Sequence, residues 1–230
     1  MKTDFSACGL DLNDNQLHNL ENFCDFLLKY NENVNLTAIR EKEEAESKHL
    51  LDSVMGQKFF PENANVIEIG RGGGFPSMPL MAVRPDLKFT QVESVEKKCA
   101  FLREVNRRFK FPANVLCMRA EDAGKNPLYR EKYDVVTARA VASLRTLLEY
   151  CLPLIKAGGI FVAYKGTKEK TEEEISESSN ALKILGGAVK ETFCYSLPGG
   201  ETHTVVIIKK EKPTPPKYPR GQGKERSKPL

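Results

Sequence analysis

The sequence predicts an α/β protein, with a mostly parallel sheet covered by helices on both faces and a small helical extension in front of it. Three observations point there. Beyond Pro61, short β-rich runs alternate with helical segments, a glycine-rich stretch directly follows the first run, and only "PGG" separates the last two runs.

The elements follow in order. Residues 10–56 read as two helices. Asn13 and Gln16 form a capping box, and Leu17, Leu20, Cys24, Leu27 and Leu28 recur at helical spacing. The loop "NENVNLTAIR" leads to a second helix from about Glu41, which Gly56 ends. The strands then read "NVIEIG", "KFTQVES", "NVLCMRA", "YDVVTARA" and "GIFVAYKG", with helices between them, clearest at Glu96–Phe109 and Ser143–Leu154. Such alternation demands crossover connections and hence parallel pairing. After a helix at Glu172–Leu185, "GAVKETFCYSL" and "ETHTVVIIKK" are joined too tightly for a crossover. They form a terminal antiparallel hairpin that completes a seven-stranded sheet. The chain thus divides into an N-terminal helical part (1–62), a sheet domain (63–210) and a Pro- and Lys-rich tail (211–230) that cannot bury a core of its own.

Composition narrows the functional classes. The first residues lack a signal-peptide core, and no apolar run approaches the ~18 residues of a membrane helix. Six scattered cysteines without a CxxC pair suit reduced thiols in the cytoplasm, not disulfides or a metal site. The net charge of +4 is unevenly spread. Residues 209–230 carry eight basic and two acidic side chains, and a second basic cluster spans Lys97 to Lys110. Concentrated cations on a near-neutral body suit a polyanion, because phosphate contacts release condensed counterions.

The stretch "VIEIGRGGGFPSMPL" follows the first strand, where open α/β sheets bind ligands. Glu93 ends the next strand, placed to accept the hydroxyls of a ribose. Together they indicate a nucleoside-containing cofactor. A dinucleotide fingerprint requires a third glycine where Phe75 stands, and no Lys-Ser/Thr follows to make a P-loop. A GxGxG loop, an acid ending the second strand and a terminal antiparallel hairpin look like the Rossmann-like fold of class I S-adenosylmethionine-dependent methyltransferases.

The likeness can be narrowed. "NVNLTAIRE", "KHLLDS", the loop "EIGRGGGFPSMPL", "RPDLKFTQVES", "RAED", "VTARAVASL", "YKG" and "YPR…KPL" occur in one order from about residue 15 to the C-terminus. In these the chain resembles the RsmG (GidB) family of bacterial rRNA methyltransferases. The resemblance implies methyl transfer from S-adenosylmethionine to N7 of a guanine in 16S rRNA of the small ribosomal subunit. It implies cofactor contacts at Gly70, Gly72, Phe75, Ala120, Glu121 and Arg139, to which the ribose argument adds Glu93. Arg139 is expected near the donor and the incoming base, as a positioning group. Guanine N7 has no proton to lose, so neither a general base nor a metal is expected, only in-line geometry. The absence of an Asn-Pro-Pro-Tyr loop and of a nucleophilic cysteine arrangement agrees with a ring-nitrogen acceptor. His49 reads as a helix-face residue hydrogen-bonded near the cleft, not as a base, and Asn35 and Asp52 read as groups that position the loop against the sheet.

RNA phosphates are assigned to Lys97, Lys98, Arg107 and Arg108 on one helix and to Lys217 and Arg220 in the tail. The protein is expected to be monomeric and free of membrane. Two positions depart from the family's usual loop. Arg71 stands where Ser or Thr is common and brings a long cation beside the methionine end of the cofactor; Ser77 stands where Gly is common and is expected to cap the next helix. Two other readings share the fold. The basic segments count against a small-molecule methyltransferase. Glu93, Glu121 and Arg139 count against a non-catalytic RNA-binding protein that has lost its cofactor.

Overall fold

The computed structural model describes residues 1–70 and 72–230. Arg71, and the expectation placed on it, lies outside the described residues.

Seven strands form one sheet in the order β3-β2-β1-β4-β5-β7-β6. They are β1 (Asn65–Ile69), β2 (Lys88–Glu93), β3 (Ala113–Cys117), β4 (Tyr133–Arg139), β5 (Ile155–Lys165), β6 (Gly187–Ser196) and β7 (Thr202–Lys210). β1 to β5 pair in parallel, and β7 runs antiparallel to both β5 and β6, as the short "PGG" connection requires. The strand order reverses between β1 and β4. In a doubly covered sheet that gap, at the carboxyl ends, is where a ligand fits.

Along β7, Val205 and Ile207 join the core on one face while Val206 and Ile208 join the core on the other. Period-two alternation with both faces buried is what a central strand between two helical layers must show. The first layer contains α1 (Asp14–Asn31), α4 (Ser77–Val83) and α5 (Glu96–Phe109). It also holds α2 (Lys42–Ala45) and α3 (Asp52–Met55), joined through a π-helical stretch, Glu46–Leu51. Leu20, Phe23 and Leu27 of α1 and Leu50, Leu51 and Val54 are fully buried in the same core as Met78 and Phe101. The N-terminal helices thus bury their apolar faces in the core of this layer. Asn13 and Gln16 make the expected reciprocal capping box.

The opposite layer comprises α6 (Ala120–Lys125), α7 (Leu144–Cys151), α8 (Lys168–Glu177), α9 (Ser179–Leu185) and a short C-terminal helix, α10 (Lys224–Ser227). The helix read as one piece over Glu172–Leu185 is two, divided at Ser178, whose hydroxyl donates to the Glu174 carbonyl. Ser/Thr back-bonding of this kind bends helices.

The basic tail is folded onto the body. Buried Lys210 donates to the Leu152 carbonyl at 2.7 Å and to Thr214. Arg130 grips the Thr214 and Tyr218 carbonyls, each at 2.7 Å. Arg220, expected on RNA phosphates, instead makes a bidentate pair with Glu149, whose side chain is 1% exposed. Polar anchors on the body hold this segment, together with Tyr218, which is buried in the core of the opposite layer. No helix among the described residues is long and apolar enough to cross a membrane.

Candidate active site

Two cavities open at the carboxyl edge of the sheet, one on each side of the glycine loop. The first, of ≈ 320 Å³, is lined by Gly70, Glu93, Ala120 and Glu121, with Tyr150 and Arg226 among its further walls. β1, β2 and β3 end there together because they pair in register, Ile69 beside Val92 and Glu93 beside Cys117. Glu93 is 5% exposed and its carboxylate accepts the Val95 N–H at 2.8 Å, which aims it along the loop.

The loop is bare for a reason that the geometry makes explicit. Gly72 has φ +85°, and a Cβ there would come within 2.6 Å of the Lys98 Cβ. Gly74 also has a positive φ of +74°. Ser77, expected to cap α4, is that helix's first residue and turns inward. Its backbone N–H donates to Glu68 at 3.2 Å and its hydroxyl meets the second Glu68 oxygen at 2.5 Å, while Gln91 donates to that hydroxyl at 2.7 Å. Glu68 is fully enclosed, and burial pushes its carboxyl up to about 7.

The second cavity, of ≈ 370 Å³, is lined by Asn35, Thr37, His49, Phe75, Lys98 and Arg139 among others. His49 stacks on Phe75 with ring centroids 4.3 Å apart, and the Arg139 guanidinium lies 5.6 Å from the same ring. Arg139 Nε pairs with Asp52 Oδ2 at 2.8 Å. Its terminal nitrogens donate to the His49 and Lys48 carbonyls and to Ser53 Oγ, and one meets His49 Nδ1 at 3.3 Å. A guanidinium can only donate, so Nδ1 accepts and the imidazole proton sits on Nε2. Nε2 then donates to Thr37 Oγ1 at 2.8 Å. Burial, then the Arg139 charge, pushes the imidazole down to about 4, so it is neutral at pH 7.

Asp52 is the hub behind this wall. It accepts from Arg139, from Tyr195 Oη at 2.6 Å and from His203 Nδ1 at 2.5 Å. Burial pushes its carboxyl up, but Arg139 and these hydrogen bonds outweigh that and hold it below the usual carboxylate range.

The structure thus brings together Gly70, Glu93, Ala120 and Glu121 at one cavity and Phe75, Lys98 and Arg139 at the other. Lys98, expected on RNA, lies against the loop, whereas Lys97, Arg107, Arg108 and Lys217 are exposed. Sequence reasoning missed His203, Tyr195, Tyr150 and Arg226, none of which carries a local pattern. Of the thiols, Cys117 and Cys194 are exposed, not buried. Cys117 gathers with Cys99 and Glu96 so that their ligating atoms lie within 4.8 Å of one another.

Residues 16–203 match the family described as rRNA small subunit methyltransferase G. The chain is 42% identical over 234 residues to the ribosomal RNA small subunit methyltransferase G of Alkaliphilus metalliredigens, covering 100% of this chain and 97% of that one. The protein of the same name from Lactobacillus helveticus is 43% identical over 233 residues, covering 99% and 96%. Among solved structures, an O-methyltransferase from Bacillus cereus in complex with SAH superposes with a TM-score of 0.57 at 15% identity, covering 82% of this chain and 91% of that one. P. horikoshii TYW2 in complex with MeSAdo gives 0.54 at 19% identity, covering 69% and 61%. The fold is that of class I methyltransferases, and the chain belongs to the rRNA small subunit methyltransferase G family of S-adenosylmethionine-dependent enzymes.

Proposed function

We propose that the protein methylates N7 of a guanine in 16S rRNA, acting in the cytoplasm as a monomer. One observation carries the reading: the two cavities meet at one glycine loop, with Gly70 lining the first and Gly73 and Phe75 the second. The donor set of the first suits the nucleoside end of the cofactor. Glu93 is a buried carboxylate at the end of β2, and no side chain at Gly70 or Gly72 blocks close approach of the backbone. Bound S-adenosylmethionine supplies an electrophilic methyl group carried on a sulfonium.

The second cavity takes the base. The stacked His49 and Phe75 rings and Asn35 offer an apolar face and an amide for a flipped-out purine. Arg139 is a positioning group, since its guanidinium is fastened to Asp52 and to two main-chain carbonyls. Neutral, doubly hydrogen-bonded His49 is no general base, and an N7 acceptor requires none.

Incubating purified protein with 30S subunits and methyl-labelled S-adenosylmethionine tests this. Borohydride reduction and aniline cleavage should break the labelled 16S rRNA at one guanine. Label that stays on uncleaved RNA would place the methyl elsewhere and refute the N7 assignment.

A further inference from the structure

We infer that the C-terminal segment is a wall of the cofactor site, with Arg226 as a cofactor-binding residue closing its adenosine end. The inference rests on the reading of the first cavity as that site.

Gly223 and Arg226 line this cavity together with Glu93 and Glu121. The segment is held there from several sides. Arg220 donates through its backbone N–H and its guanidinium to Glu149 of α7, at 2.8–2.9 Å for the three shortest bonds. The same guanidinium donates to the Lys228 carbonyl at 2.8 Å, which ties the two ends of α10 together. Thr146 of α7 donates to the Glu225 carbonyl at 2.9 Å, and Lys125 of α6 donates to the Arg220 carbonyl at 3.2 Å. A bidentate Arg–carboxylate pair with a buried partner fixes position far better than an exposed pair could. What sits over the cavity mouth is therefore built structure.

The second observation is chemical. The cavity is acidic on its inner side, where Glu93 and Glu121 are each less than 10% exposed. Next to them stands Tyr150, 5% exposed. Burial raises its phenol, a side-chain hydrogen bond with Arg226 lowers it, and the Glu121 and Glu225 charges push it up again. Glu225 is fully buried, and its Oε2 has no hydrogen-bond partner. A buried carboxylate oxygen left unsatisfied is costly, and the Arg220 charge faces that carboxylate. Of the two arginines that line the cavity, Arg119 and Arg226, it is Arg226 that engages the Tyr150 cluster. Covering the carboxylates with a neutral adenosine removes them from water, so the site needs this cation most when it is filled.

Calorimetric titration of the full chain with S-adenosylhomocysteine and with 5′-methylthioadenosine, which lacks the amino-acid end, tests the assignment. Arg226→Ala should weaken both by about tenfold or more, equal to ~1.4 kcal/mol. Arg226→Lys should recover most of the loss, and amide exchange over 220–227 in the wild type should slow when either probe binds. Unchanged affinity in Arg226→Ala, or a loss confined to S-adenosylhomocysteine, would overturn the wall. Glu93→Ala separates the two readings. If the wild type binds both probes and Glu93→Ala weakens them while Arg226→Ala does not, the cavity is the cofactor site and the wall alone falls. If Glu93→Ala is silent, the cofactor-site reading falls and takes the wall with it.

Discussion

Arg139, at the end of β4, is bound through Nε to Asp52 at the start of α3, at 2.8 Å, with the two side chains 14% and 2% exposed. This pair ties the carboxyl edge of the sheet to the N-terminal helices, and the second cavity lies against it. Losing one partner of a buried pair leaves the other's charge uncompensated. Asp52→Asn should therefore destabilise the protein by about 3 kcal/mol in urea unfolding. Arg139→Ala should be partly rescued by adding Asp52→Asn, because the double variant strands no charge. Strict additivity in that cycle would show that the pair is not coupled.

His49 gives the site an acid limit. Its folded value of about 4 lies below the ordinary 6.5, so the folded state resists protonation. Stability is then fully present above pH 6.5 and is lost as pH falls through about 4. Wild-type unfolding free energy should drop across that window, and His49→Gln should lose less. Parallel pH profiles for the two proteins would mean the imidazole does not titrate there.

Glu68 works in the other direction. Its folded value of about 7 lies above the ordinary 4.5, so the protonated form is favoured by folding. That contribution is whole below pH 4.5 and lost as pH rises through about 7. Glu68→Gln keeps the shape and never ionises. Its melting temperature should gain on that of the wild type between pH 5 and pH 8, and a constant difference would contradict the assignment.

Lys97, Arg107, Arg108 and Lys217 are exposed, and we propose that they contact RNA phosphates. Arg107 pairs with Glu104 at 2.8 Å and Arg108 lies 5.0 Å from the Phe26 ring, and both remain exposed. Replacing all four with Ala should flatten the dependence of log affinity on log salt by about 0.7–0.9 per lost phosphate contact. Filter binding to 30S subunits at several salt concentrations measures this. An unchanged slope would move the RNA-binding face elsewhere.

Much of this was legible in the sequence, and the limits have physical causes. Apolar runs mark the central parallel strands, because burial on both faces leaves a signal along β1, β2 and β4, whereas no residue of the edge strand β3 is buried. The loop glycines and Glu93 are legible because their spacing is local and a nucleoside demands it. Arg139 and Asp52 stand out singly, but their pairing and the part of His203 do not, since three separate elements bring the cluster together. The tail misled for a related reason. Its composition promised solvent exposure, and its attachment depends on polar partners far away in the chain, Arg130 and Glu149. One-to-one pairs leave no periodic trace.

The reversed strand has a geometric outcome of its own. Because β7 runs against β5, its first residues lie beside the last of β5, with Thr204 opposite Lys165. A parallel β7 would have delivered Lys209 and Lys210 to the catalytic edge; the antiparallel one delivers His203 to Asp52 at 2.5 Å. It also brings the β6–β7 turn to the π-helical stretch, where Glu201 pairs with Lys48 at 2.9 Å. The hairpin thus fastens the carboxyl edge of the sheet to the N-terminal helices from its outer side, through His203 on Asp52 and Glu201 on Lys48.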